Sequence, residues 1–117
     1  MSSARGDQLP PPSAWEVRAY DRRSAEGWAQ LARQVAANLR RAWFAITEDP
    51  RSTRNPARQH RLKGQLSTVR VKGATLEQWQ YEVTGGGRIW YAIDDATATL
   101  WITLAGTGHP RQTDKRK

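Results

Sequence analysis

A few side chains in this sequence have the chemistry to act on a polyanion. Arg88 sits inside a run of strand-forming residues, and a guanidinium can bind phosphate through two parallel N–H bonds. Trp90, two residues on, and Trp101, on the following apolar-alternating run, offer flat faces on which nucleobases can stack, worth about 1–3 kcal/mol per base. His60 and His109 are the two histidines of the chain, and imidazole titrates close to neutrality. Lys63, Arg61 and Arg111 are further phosphate-contact candidates of low specificity. Each residue also has a plain reading. Arg88 is then an exposed strand arginine beside Glu82. His60 is a loop residue, His109 a tail residue, and the tryptophans cover the sheet.

Charge supports a polyanionic partner. The 117 residues carry a formal net charge of +8. From Pro50 to Leu76 there is no Asp or Glu, while Arg51, Arg54, Arg58, Arg61, Lys63, Arg70 and Lys72 all fall there. Arg111, Lys115, Arg116 and Lys117 follow near the C-terminus against a single Asp114. No cysteine means no disulfide framework and no thiolate chemistry. Two histidines without an acidic cluster predict no metal site, and no other cofactor is expected. No run of about 18 apolar residues exists, so no membrane span is expected. The N-terminus has no apolar segment of the signal-peptide kind, which predicts a cytoplasmic location.

The elements that must hold these residues lie mainly between Trp79 and Gly108. Trp79, Tyr81 and Val83 alternate with polar neighbours, then Ile89, Tyr91 and Ile93, then Leu100, Ile102 and Leu104. Period two with aromatic and β-branched residues marks half-buried strands, and short turn-like joints make them an antiparallel meander. Keeping the apolar set together pairs Val83 with Ile89, Tyr81 with Tyr91 and Trp79 with Ile93. Gly85, Gly86 and Gly87 then form a three-residue loop in which glycine takes positive φ. The next pairing sets Ile93 against Leu100, Tyr91 against Ile102 and Ile89 against Leu104, across a loop of Asp95 to Ala98. The core face is then Trp79, Tyr81, Val83, Ile89, Tyr91, Ile93, Leu100, Ile102 and Leu104. The opposite, open face carries Gln80, Glu82, Arg88, Trp90, Ala92, Trp101 and Thr103.

Upstream, residues 1–13 are polar with Pro10-Pro11-Pro12 and are expected to form a disordered tail. Trp15 to Tyr20 alternates as a first strand. Asp21 or Ser24 suits a helix N-cap. From Ala25 to Thr47 the apolar spacing becomes three and four, through Trp28, Leu31, Val35, Leu39, Ala42 and Ile46. The pattern fits one helix or two, and Pro50 ends it. Arg51 to Gln59 reads as a loop. His60 to Leu66 leads back into the sheet. Ser67 to Leu76 reads as a hairpin turning at Lys72-Gly73. Its parity does not match Trp79, which predicts a bulge or break near Glu77-Gln78. The domain is expected to span residues 14–111, with a basic tail over 112–117 that frays.

Placed on this order are Leu62-Lys63-Gly64, then Gly87-Arg88-Ile89-Trp90-Tyr91, then Ile93-Asp94-Asp95, then a last strand closing on glycine and a basic segment. In that order and spacing the chain, from Trp15 to Arg111, resembles the RelE/ParE superfamily of toxin–antitoxin toxins. The resemblance implies a small α+β domain: an N-terminal strand, a helical hairpin jointed near Arg33-Gln34, then a twisted antiparallel sheet packed on the helices. It also implies a function. RelE-like members enter the ribosomal A site, contact 16S rRNA, and cleave mRNA without metal by driving a 2′-hydroxyl onto the adjacent phosphate. ParE-like members poison DNA gyrase and lack the catalytic residues. A cognate antitoxin neutralises both kinds. Arg88 stands where the family places its phosphate-contacting arginine. His109 stands near a general acid or phosphate clamp, and His60 near a base that some relatives carry. Some RelE-like members carry lysines on the strand that here reads Trp-Gln-Tyr-Glu-Val, where Gln80 and Glu82 stand instead. No tyrosine follows His109. The resemblance therefore implies either a histidine-based nuclease or a non-nuclease: a ParE-like gyrase inhibitor or a catalytically inactive member that binds a partner.

Overall fold

The structure, a computed structural model, describes residues 5–6 and 15–108. The tails expected over 1–13 and 112–117 therefore fall outside the described residues, apart from Arg5 and Gly6. The chain begins with strand β1 (Glu16–Ala19), then helices α1 (Arg22–Gln34) and α2 (Ala36–Glu48). Strand β2 (Gln59–Arg61), a 3-10 turn (Gly64–Ser67) and strands β3 (Thr68–Val71), β4 (Ala74–Glu82), β5 (Arg88–Asp94) and β6 (Thr99–Gly106) complete it. They form one six-stranded sheet in the order β1-β6-β5-β4-β2, with β3 also paired to β4. β1 runs parallel to β6, and the other neighbours are antiparallel. This is the α+β arrangement expected from the sequence.

Asp21 caps α1. Its carboxylate accepts from the Ser24 amide at 2.8 Å, and the Ser24 hydroxyl accepts from the Asp21 amide at 3.1 Å. Two otherwise orphaned N–H groups are thereby satisfied. The helices separate at Val35, whose φ of −139° and ψ of 55° leave the helical region. The Val35 amide still donates to Leu31 O, and its carbonyl accepts from the Leu39 amide, so the break exposes little unpaired backbone. Leu31, Leu39, Ala42 and Ile46 bury themselves against Tyr81, Ile89, Tyr91, Leu100 and Ile102 of the sheet.

The β4–β5 register differs from the expected one by two residues. Tyr81 pairs with Ile89, Trp79 with Tyr91 and Glu77 with Ile93. An even shift keeps every side chain on its face, so alternation alone could not detect it. The connection after the Glu82–Arg88 pair holds five residues rather than three. Val83 and Thr84 amides both donate to Gly87 O, and the Gly87 amide donates to the Thr84 hydroxyl. None of Gly85, Gly86 and Gly87 takes positive φ. Gly87 is needed for room instead, because a Cβ there would meet Thr84 Oγ1 at 2.9 Å.

No bulge occurs at Glu77-Gln78, and β4 pairs without a shift along its length. The parity change has another cause. Leu76 belongs to the open face, where it packs with Val71 and Ala92. The irregularity lies between β5 and β6, at Trp90/Tyr91. Ile93–Leu100 and Tyr91–Ile102 pair as expected, but Ile89 meets Ala105 rather than Leu104. Leu104 is thereby turned out of the core, and Ala105 packs against it. At the hairpin between β3 and β4, Lys72 and Gly73 both take positive φ, 51° and 84°, as a tight two-residue turn requires.

Candidate nucleic-acid interface

The open face of the sheet, opposite the helices, collects part of the candidate set. His60 on β2 pairs with Gln80 on β4, which pairs with Trp90 on β5. Directly opposed residues share a face, so these three form a row across the sheet. Arg88, two residues before Trp90, lies on the same face beside Glu82.

β2 is held by the residue before the histidine. Gln59 is buried and points to the helix side, where its Nε2 donates to Asp49 O at 2.9 Å and to Tyr91 Oη at 3.0 Å. Tyr91 Oη in turn donates to Pro50 O at 2.7 Å. Burial pushes the Tyr91 hydroxyl well above its ordinary range, which keeps it a donor. Alternation then sends His60 to the open face. His60 Nδ1 lies 3.0 Å from Pro56 O. A carbonyl only accepts, so Nδ1 carries the proton and Nε2 of the neutral ring holds the free lone pair.

Arg88 is half-buried. Its Nη1 lies 3.5 Å from Gln80 Oε1, and its Nε is a buried donor with no partner among the described residues. It forms no ion pair with Glu82, so the simple strand-pair reading fails. Trp90 is 8% exposed, and its Nε1 donates to Gln80 Oε1 at 2.9 Å. Trp101 is partly buried beside Val71, Leu76 and Ala92, with Lys72 Nζ 5.3 Å from its ring centroid. Neither tryptophan is the open platform that its position on the second face suggested. The β3–β4 hairpin and the buried glutamines give this face a small core of its own. Gln78, 3% exposed, ties Leu66 O to the sheet and accepts from the Thr103 hydroxyl. Alternating glutamines at 78 and 80 were a signal that polar contacts, not solvent, meet this face.

The remaining candidates scatter. Arg61 pairs with Trp79 and so lies on the face opposite His60, donating to Ser67 O at 3.3 Å. Lys63 is exposed just before the 3-10 turn. His109 and Arg111 lie outside the described residues. Of the cations between Arg51 and Lys72, only Arg51 forms an ion pair among the described residues, to Glu77 and Asp95. Arg54, Arg58, Arg61, Lys63, Arg70 and Lys72 form none there. No three His, Cys, Asp or Glu side chains come together among the described residues. No helix there is long and apolar enough to cross a membrane.

No protein-family model and no curated protein matches the sequence. Solved structures do match the fold. The isolated RelE toxin of E. coli superposes with a TM-score of 0.57 at 18% identity, over 86% of this chain and 90% of that one. A chain of the RelBE2 toxin–antitoxin complex of Mycobacterium tuberculosis gives 0.53 at 20% identity, over 80% and 98%. A chain of the archaeal RelE–RelB complex of Pyrococcus horikoshii gives 0.54 at 10% identity, over 80% and 94%. The chain has the RelE-like toxin fold.

Proposed function

We propose that this chain is the toxin of a toxin–antitoxin pair and a metal-independent endoribonuclease that cleaves mRNA on the ribosome, in the cytoplasm. One observation carries the reading beyond the fold: His60, its tautomer fixed by Pro56 O, shares the open face with Arg88, which makes no ion pair among the described residues. Metal-free cleavage needs a base for the 2′-hydroxyl, a cation for the crowded phosphate and an acid for the leaving oxygen. His60 Nε2 takes the 2′-proton, the 2′-oxygen bonds to phosphorus, and the bond from phosphorus to the 5′-oxygen breaks. Arg88 stabilises the charge that grows on the phosphate oxygens. His109 is assigned to protonate the leaving 5′-oxygen, as the family resemblance implies. The cations from Arg54 to Lys72 serve rRNA and mRNA backbone contacts, and a cognate antitoxin is the expected inhibitor.

Gln80 and Glu82, in place of basic residues on β4, favour a second reading: a non-catalytic member that inhibits gyrase or binds a partner protein. The two readings separate on induction in cells, with 5′-end mapping of ribosome-bound mRNA. The nuclease reading expects growth arrest with new mRNA ends, lost in Arg88→Ala and reduced in His60→Ala, with circular dichroism unchanged. Arrest with intact mRNA and a DNA-damage response overturns it in favour of gyrase.

A further inference from the structure

We infer that Gln80 is a positioning residue that aims the Arg88 guanidinium, an inference that rests on the proposed phosphate-binding role of Arg88. Gln80 is 9% exposed, on the central strand β4 between His60 and Trp90. Its Oε1 accepts from Trp90 Nε1 at 2.9 Å and faces Arg88 Nη1 at 3.5 Å. An indole N–H and a guanidinium only donate, so the amide can present only its oxygen to them. Trp90 is buried and fixes that oxygen in place. The oxygen then engages Nη1 and no other guanidinium nitrogen.

That choice of nitrogen has a geometric consequence. A guanidinium grips phosphate side-on through Nε and Nη2 or end-on through its two terminal nitrogens. Each terminal nitrogen carries two N–H groups, so the contact to Gln80 takes one from Nη1 and leaves an outward N–H on Nη1 and on Nη2 for an end-on grip. Nε is buried without a partner among the described residues, as is Trp101 Nε1, so an oxygen the size of water does not reach the side-on edge. A lysine in place of Gln80 could only donate and would repel Arg88. Here the strand instead carries a neutral acceptor beside Arg88.

The test uses the full chain carrying Gln80→Met, which keeps length and removes the acceptor, and Gln80→Glu, which keeps an acceptor. The first measurement follows the Arg88 Nε–Hε signal by NMR while inorganic phosphate is titrated. Wild type and Gln80→Glu are expected to show one sharp signal that moves with phosphate. In Gln80→Met the signal should broaden or shift at rest, and phosphate should move it only at about tenfold higher concentration, the scale of a lost charge-assisted hydrogen bond. The second measurement is cleavage of ribosome-bound mRNA. Gln80→Met should lower kcat on the order of ten- to a hundredfold with KM little changed, because a misaimed group costs most in the transition state. Gln80→Glu should recover most of that loss. An Arg88 signal and phosphate response identical in Gln80→Met and wild type overturn the positioning role. So does unchanged kcat in Gln80→Met when wild type cleaves. If wild type cleaves nothing, the nuclease reading fails by itself, and the phosphate titration alone decides on Gln80.

Discussion

Arg51 and Asp95 meet across 44 residues of sequence: Nη2 lies 2.7 Å from one carboxylate oxygen and Nη1 3.2 Å from the other. Nε of the same guanidinium reaches Glu77 Oε2 at 2.7 Å. The start of the loop that leads to His60 is thus fastened to β4 and to the β5–β6 turn. Bidentate geometry and the sharing of one cation by two carboxylates lift this above an ordinary surface pair. Asp95 is largely exposed, which limits the gain. Arg51→Ala should lower stability by about 1 kcal/mol in urea unfolding, with an unchanged m-value.

The same cluster sets an acid dependence. The hydrogen bond from Arg51 holds the Asp95 carboxyl below its ordinary value. Burial pushes Glu77 up, but hydrogen bonds from Arg51 and Trp79 outweigh it, and its net shift is also downward. Carboxylates depressed in the folded state contribute fully above their unfolded pKa, near 4. The contribution is lost as pH falls through the folded values. Wild type should therefore exceed Arg51→Ala in stability at pH 6 and converge on it below about pH 4. A gap that is constant from pH 7 to pH 3 would show that the pair does not titrate in this way.

Tyr91→Phe should cost about 1–3 kcal/mol, because the Pro50 carbonyl is left buried without its donor. Gln59 keeps its bond to Asp49 O and loses the one to Tyr91 Oη. Gln59→Leu and Tyr91→Phe should consequently be less than additive in a double-mutant cycle. Full additivity in calorimetry would mean that the two side chains do not act as one anchor for β2.

Two glycines give opposite expectations. A Cβ at Gly27 would meet Ala105 O at 1.9 Å and Ala105 C at 2.8 Å, both backbone atoms of β6. Neither can rotate away, so α1 would have to lift off the sheet. Gly27→Ala should destabilise by about 3 kcal/mol, the upper part of the overpacking range. Gly85 has nothing within 4 Å of a built Cβ and no positive φ. Gly85→Ala should be neutral or stabilise by about 0.5 kcal/mol. Thermal midpoints of the two variants check both directions at once.

Much of this was legible from alternation and spacing. Period two separated the faces at Trp79, Tyr81, Ile89, Tyr91, Ile93, Leu100 and Ile102, because burial on one side of a sheet demands it. Asp21 and the Lys72-Gly73 turn were legible because caps and tight turns have few chemical solutions. Register was not. A shift of two between β4 and β5 preserves both faces, and only the Val83, Thr84 and Gly87 hydrogen bonds decide it. The bulge turns Leu104 out of the core and Ala105 into it, and α1 meets Ala105 at Gly27, a contact between residues far apart in sequence. The open face was misread for a related reason. Leu76, Val71 and Ala92 look scattered along the chain, and only the fold of β3 onto β4 gathers them around Trp101. The candidate site divides in the same way. His60 and Arg88 share a face as their strand parity allows, while Arg61, next to His60, faces the other way.

That correction yields a prediction about the six tryptophans. Trp90 and Trp79 are 8% and 7% exposed, while Trp43 on α2 is 38% exposed and stands edge-on to Phe44. A small quencher reaches side chains in proportion to their exposure, so Trp43 should contribute the largest single share of the quenchable emission, ahead of the partly buried Trp15, Trp28 and Trp101. Trp43→Phe should lower the iodide-accessible fraction of fluorescence clearly, and Trp90→Phe should leave it unchanged. The second variant also removes the donor that fixes Gln80, so it should cost about 1–3 kcal/mol in stability while leaving quenching alone. Both substitutions are conservative in shape, which keeps the fold comparison fair. If Trp90→Phe removed most of the quenchable signal, the open face would be solvated at its centre, and the network from Trp90 through Gln80 to Arg88 would not hold in solution.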